Sequence, residues 1–264
     1  MKKLWILIVL IQFACPAFEN AFKFQYLGDN LPSFQDSVKT GLFKKSVVLI
    51  VPFSQPYLKL ASMNFSHLFS AGVYELYLIS TGDKLYHESM MENKFDFSIH
   101  NNNNLAVLMN SYLISIQNYS TYYAFSTGFR LMYSNPKYVS YFIEYKNGYF
   151  ITQSNLNPNV PEIIHISFFH INYKSQFVFS LVKDMSFPVD IQLSWKNILH
   201  PILSLNFGFI NSSREIMGGA EFHIGEISPF IFILNHPNLG ITYGFKISFW
   251  DFLYNDFHLG FSTG

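Results

Sequence analysis

The run Gly240–Trp250 most constrains what this chain can fold into. Ile241, Tyr243, Phe245, Ile247 and Phe249 alternate with Thr242, Gly244, Lys246 and Ser248. A period of two puts the bulky set on one face of an extended strand and the small, polar set on the other. Val189–Trp195 and Glu215–Ile224 repeat the pattern. Beyond the N-terminus, no long run has apolar residues at helical spacing. No stretch reaches the ~18 apolar residues that a membrane-spanning helix needs. Yet 50% of the chain is hydrophobic and 19% is aromatic. Its apolar surface must therefore be presented by strands.

Further runs of this kind are Ser46–Phe53, Val73–Ile79, Lys94–Ile99, Leu105–Ile116 and Tyr122–Met132. A hairpin at Asn172–Ser175 is expected to join Ile163–Ile171 to Gln176–Val182. A second is expected at Lys146–Gly148, because Asn-Gly is a favoured two-residue turn. Ser54–Ser70 is expected to hold one short helix. Prolines 136, 158, 161, 188, 201 and 237 fall between the runs, where a missing N–H costs no ladder bond. The sum is an all-β meander of about fourteen antiparallel strands (roughly 12–16).

One phrase occurs twice, LHPILSLNFGF at 199–209 and NHPNLGITYGF at 235–245. Proline fixes φ and holds the preceding His200 or His236 extended, so each copy reads as a turn leading into a strand. Leu203, Leu205, Phe207 and Phe209 share one face of the first copy, and Leu239, Ile241, Tyr243 and Phe245 that of the second. Ser204, Asn206 and Gly208, then Gly240, Thr242 and Gly244, form the opposite faces.

Two architectures satisfy this pattern. A secreted or periplasmic β-sandwich that binds a ligand would turn the bulky face inward. A transmembrane barrel would turn it to lipid and leave the small polar face to the lumen. Sandwich exteriors carry many charges. Here the small face holds Ser, Asn, Thr and Gly, and only 13% of the chain is charged, against about 25% in ordinary soluble domains. Aromatics also gather near run ends (Tyr122, Tyr123, Tyr138, Tyr149, Trp195, Trp250, Tyr254), as interfacial girdles do. The reading is a barrel in a bacterial outer membrane. Glu221, Lys246, Asn206 and Thr242 are its expected lumen-facing residues, with Glu221 and Lys246 a candidate gating or selectivity pair.

The N-terminus fits an exported protein. Lys2 and Lys3 precede the apolar Leu4–Ile11, and small residues follow at Ala14, Ala17 and Ala21. Residues 1–17 are read as a signal peptide (alternatively 1–21), and 18–264 as one barrel domain. Cys15 is the single cysteine. Gln12 stands where a lipobox usually has Leu, so Cys15 is a poor lipidation site. A mature chain from residue 18 contains no cysteine and no disulfide.

Net charge is +0, which gives no footprint for nucleic acid. None of the nine histidines forms a His-x-His or His-Glu-x-x-His motif. His165 and His170 lie on opposite faces of one run. Carboxylates are scattered, and nucleophile elbows and phosphate loops are lacking. The expectation is a protein with no enzymatic role, no catalytic residue, no metal site and no cofactor.

The segments REIMGGAEFHIGEISPF (214–230) and NLGITYGFKISFWDFLYNDFHLGFSTG (238–264) resemble outer-membrane barrels of the PorV/PorQ and FadL-like superfamily. The matching residues are Gly219, Ala220, Glu221, Phe222, Gly240, Gly244, Phe245, Tyr254, Leu259, Gly260 and Ser262; LSWKNILHP (193–201) is similar to a further strand end. The resemblance implies a 14-strand barrel with a narrow or plugged lumen. It also implies uptake of hydrophobic compounds or an accessory role in type IX-like secretion. The implied partners are outer-membrane lipid and secretion-complex or surface proteins.

Overall fold

The computed structural model describes residues 43–51, 60–69, 72–82, 85–100, 102–117, 121–135, 139–152, 162–171, 174–184 and 187–251. The expected signal peptide, Cys15, Tyr138, Pro136, Pro158, Pro161 and Tyr254–Ser262 lie outside the described residues. Among those described, no helix is long and apolar enough to cross a membrane.

The chain forms fourteen strands: β1 Phe43–Val51, β2 Leu60–Phe69, β3 Gly72–Gly82, β4 Tyr86–His100, β5 Asn103–Ile116, β6 Thr121–Tyr133, β7 Ser140–Thr152, β8 Ile163–Ile171, β9 Ser175–Asp184, β10 Asp190–His200, β11 Leu203–Ile210, β12 Glu215–Phe222, β13 Ile227–His236 and β14 Gly240–Asp251. Each pairs antiparallel with its chain neighbours, and β14 returns to pair with β1, closing the barrel. Closure removes the free edges that a sheet would otherwise expose. It also excludes the two-sheet sandwich, the alternative architecture.

The side chains sort as a barrel in lipid requires. Leu49, Met63, Phe129, Ile143, Phe177, Trp195, Phe207, Ile231, Ile233, Tyr243 and Phe245 are exposed. Residues between them in the strands are buried or half-buried, the buried ones including Ser46, Asn64, Ser126, Glu144, Ser180, Ser204, Thr242 and Ser248. A soluble fold with this arrangement would be inside out. Only an apolar solvent makes it the lower free-energy state.

Three local expectations are corrected. Leu60–Phe69 is a strand, β2, and not part of a helix; its inward Asn64 and Ser66 alternate with outward Met63 and Phe65. Ile227–His236 forms β13, a strand not foreseen because Pro229 interrupts it. Pro229 lies outside the β12 ladder, which begins at Phe230, so its missing N–H is tolerated there. Lys146–Gly148 is no hairpin. β7 runs through it, and Gly128 of β6 stands opposite three β7 residues, between the pairs Thr127↔Tyr149 and Phe129↔Tyr145. Asn147 takes φ 61° there. Asn-Gly supplied the left-handed conformation for a bulge rather than for a turn.

The two copies of the repeated phrase open β11 and β14, strands that start at opposite ends of the barrel. In each, the histidine caps its own turn. His200 Nδ1 accepts from the Ile202 amide at 3.3 Å, and His236 Nδ1 accepts from the Asn238 and Leu239 amides at 3.2 and 3.1 Å.

Candidate functional site: the inner wall of the barrel

Three features build the inner wall. The first is a charged lattice across β3–β8. Register puts Glu75 opposite Lys94, Arg130 opposite Glu144, and Glu144 opposite His165. Lys94 contacts Glu75 and lies 3.3 Å from Asp96. Arg130 grips Glu144 Oε2 through Nη2 at 2.5 Å and Nε at 2.6 Å, while its guanidinium lies 4.5 Å from the centre of the Phe142 ring. Lys146 Nζ donates to Glu92 Oε2 at 2.7 Å and lies 3.5 Å from Glu144 Oε1. That contact joins β4 to β7 across two intervening strands, a reach the β7 bulge makes possible. All these groups except Arg130 are buried, and pairing is what makes buried charge tolerable.

The bulge also aims Asn147 inward. Its Oδ1 accepts from Asn110 Nδ2 at 3.1 Å, Tyr112 Oη at 3.0 Å and Ser126 Oγ at 2.6 Å. One side chain thus ties β7 to β5 and β6.

The second feature is a polar group near the β12–β13 turn. Lys196 of β10 donates to Glu221 Oε2 at 2.5 Å, reaching over β11 where Asn206 and Ser204 leave space. His223 sits between two serines, with Ser204 Oγ 2.9 Å from Nε2 and Ser228 Oγ 3.1 Å from Nδ1. A hydroxyl thus stands where a hydrolase triad needs a carboxylate, and Ser204 is fully buried.

The third feature is apolar. Ile50, Leu60, Ile79, Met90, Ile210, Met217, Phe230, Phe232 and Leu234 form one buried cluster, with Val48 and Tyr112 against it. Phe230 and Phe232 stack at 5.4 Å. A Cβ on Gly219 would meet the Phe230 ring at 2.5 Å, and one on Gly244 would meet Phe232 at 2.2 Å. These two glycines, both in the segments that carry the family resemblance, make room for the aromatic pair.

Of the four sequence-predicted residues, Lys246 and Thr242 are buried, and Glu221 and Asn206 are half-buried. They stand on the strand faces opposite exposed Phe245, Tyr243, Phe222 and Phe207. Glu221 is hydrogen-bonded by Lys196, and Lys246 also acts electrostatically on it, with Phe230 standing between the two in the register. Sequence reasoning missed the lattice on β3–β8, although Glu75, Glu92, Lys94, Asp96, Arg130, Glu144 and Lys146 were its visible signal. These are charges inside runs whose outward residues are apolar. Among the described residues no group of His, Cys, Asp and Glu is placed to hold a metal.

No protein-family model matches the chain, and no curated protein matches it. Solved structures do. The outer-membrane protein Omp33 of Acinetobacter baumannii superposes with a TM-score of 0.51 at 10% identity, over 78% of this chain and 96% of Omp33. The ΔS2S3 mutant of TodX, a monoaromatic hydrocarbon channel, superposes with a TM-score of 0.52 at 7% identity, over 80% of this chain and 89% of that one. What they share with this chain is the fold. A closed fourteen-strand barrel with an apolar exterior and a polar, charged inner wall is an outer-membrane β-barrel. Its location is the bacterial outer membrane.

Proposed function

We propose that this barrel passes small hydrophobic compounds across the outer membrane. The observation that carries the reading is the apolar cluster on the inner wall. Barrel interiors of this kind are ordinarily polar, yet here apolar side chains of β4, β3, β2, β1, β13, β12 and β11 form one cluster, bridged over β14 where Phe232 lies against Gly244. A water-filled porin has no use for that surface, whereas a hydrophobic solute gains from each apolar contact there. The fold it shares with the hydrocarbon channel TodX supports the reading.

The longest connections follow β1 and β7, at the opposite end from the shortest turns, which follow β2, β4 and β10. Long loops face outward and short turns face the periplasm in such barrels. Ile50, Leu60 and Ile210 therefore lie at the outer end, where a solute arrives. Lys196, Glu221 and Lys246 lie toward the periplasmic end, as an exit-side charge group facing the lumen with Asn206 and Thr242. The lipid of the outer membrane is the partner of the exposed apolar face.

Purified barrel in liposomes tests this. Toluene flux well above protein-free vesicles is expected, with little permeation by sugars of similar size. Sugar permeation at porin level without toluene flux refutes it. The accessory role in type IX-like secretion draws on the sequence resemblance. It forecasts instead co-purification with a surface protein or secretion complex.

A further inference from the structure

Other buried carboxylates of the inner wall have partners: Glu75 has Lys94, Glu92 has Lys146, Glu144 has Arg130, and Asp190 has Gln192 and the Ser212 amide. Glu88 of β4 differs. It is 3% exposed, and its Oε2 has no hydrogen-bond partner. Its cross-strand neighbours are Thr81 on β3 and Ile114 on β5. Met90, two residues on, faces Ile79 and Tyr112 across the same strands. Glu88 therefore borders the apolar cluster near its outer end. A carboxyl buried without a partner is costly, and such groups in native proteins call for an explanation.

We infer that Glu88 is the polar recognition point of a binding site on this wall, whose ligand is a small hydrophobic compound with one hydrogen-bond-donating head, a hydroxyl or an amine. The ligand's apolar body lies against Met90, Ile79 and Tyr112, and its head donates to a carboxyl oxygen of Glu88. This is the usual division of labour in small-molecule sites, where an apolar wall supplies contact area and a few polar groups fix orientation. The inference rests on the hydrophobic-transport reading and names the class of compound within it.

The test is calorimetric binding to the refolded full barrel, with folding of every variant checked by heat-modifiable gel migration. The probes are p-cresol, its methyl ether 4-methylanisole, which lacks the donor, and toluene. The wild-type chain is expected to favour p-cresol over 4-methylanisole by about tenfold, the upper worth of a single net hydrogen bond. Glu88→Leu should abolish that preference, and Glu88→Gln should keep part of it. Equal binding of p-cresol and 4-methylanisole by the wild-type chain overturns the inference even if no variant folds. So does a preference that survives in Glu88→Leu. If toluene binds without any preference, only this inference falls. If none of the three binds, the transport reading falls with it.

Discussion

The β7 bulge makes a quantitative forecast. Asn147 is buried, holds φ 61° and accepts three side-chain hydrogen bonds from β5 and β6. Replacing it with alanine removes all three, at roughly 1 kcal/mol each. It also puts a Cβ-bearing residue without local hydrogen bonding in the left-handed region, for about 1 kcal/mol more. Asn147→Ala should thus destabilise the barrel by about 4 kcal/mol. Asn147→Gly loses the same bonds and escapes the backbone penalty, so its loss should be about 3 kcal/mol. Urea unfolding in lipid vesicles, followed by tryptophan fluorescence, measures both. An alanine variant within 1 kcal/mol of the wild-type chain would refute the assignment of Asn147 as the inner-wall tie. Glycine costing more than alanine would refute the backbone argument.

Three further outcomes are expected. Lys146→Met leaves Glu92 buried without its partner and should cost about 3–5 kcal/mol; the double variant with Glu92→Leu should regain most of it in the same assay. Ile233→Arg places a charge on the lipid face and should cost about 2–4 kcal/mol if Ile233 lies near the bilayer midplane; a neutral result would mean that β13 does not face lipid. The third concerns His223, in the turn after β12. Burial holds its pKa below the ordinary 6.5, opposed by Glu221 and reinforced by Lys196. The unfolded chain therefore binds this proton more readily than the folded one. The contribution is complete above pH 6.5 and is lost as pH falls toward the lower folded value. His223→Gln should flatten that part of the stability profile, and an unchanged profile would show that His223 does not supply it.

The strands show why some of this fold was legible and some was not. β14 and β10 declare themselves because their outward residues meet lipid and their inward residues are small, so the period of two survives in the sequence. β13 hid behind Pro229. β2 hid because polar His67 stands in its outward register and apolar Leu60 in its inward one, which blurs the alternation. The Asn-Gly of β7 shows the limit most clearly. The dipeptide states only that a left-handed residue is wanted. Whether the chain then turns back or bulges onward depends on the partner strand, here on Gly128 standing opposite.

By itself, the sequence determined that this chain is built of about fourteen strands with one apolar and one small polar face, because backbone pleating and side-chain size are local properties. It also determined which face each of Glu221, Lys246, Asn206 and Thr242 shares with its neighbours. Only the tertiary structure decided that the sheet closes, since closure depends on β1 meeting β14 across nearly the whole chain. It likewise decided that Lys146 reaches Glu92 over two strands, that Lys196 joins Glu221 over β11, and that Glu88 is left without a partner. Those pairings depend on distances across a curved wall, which spacing along a chain does not encode.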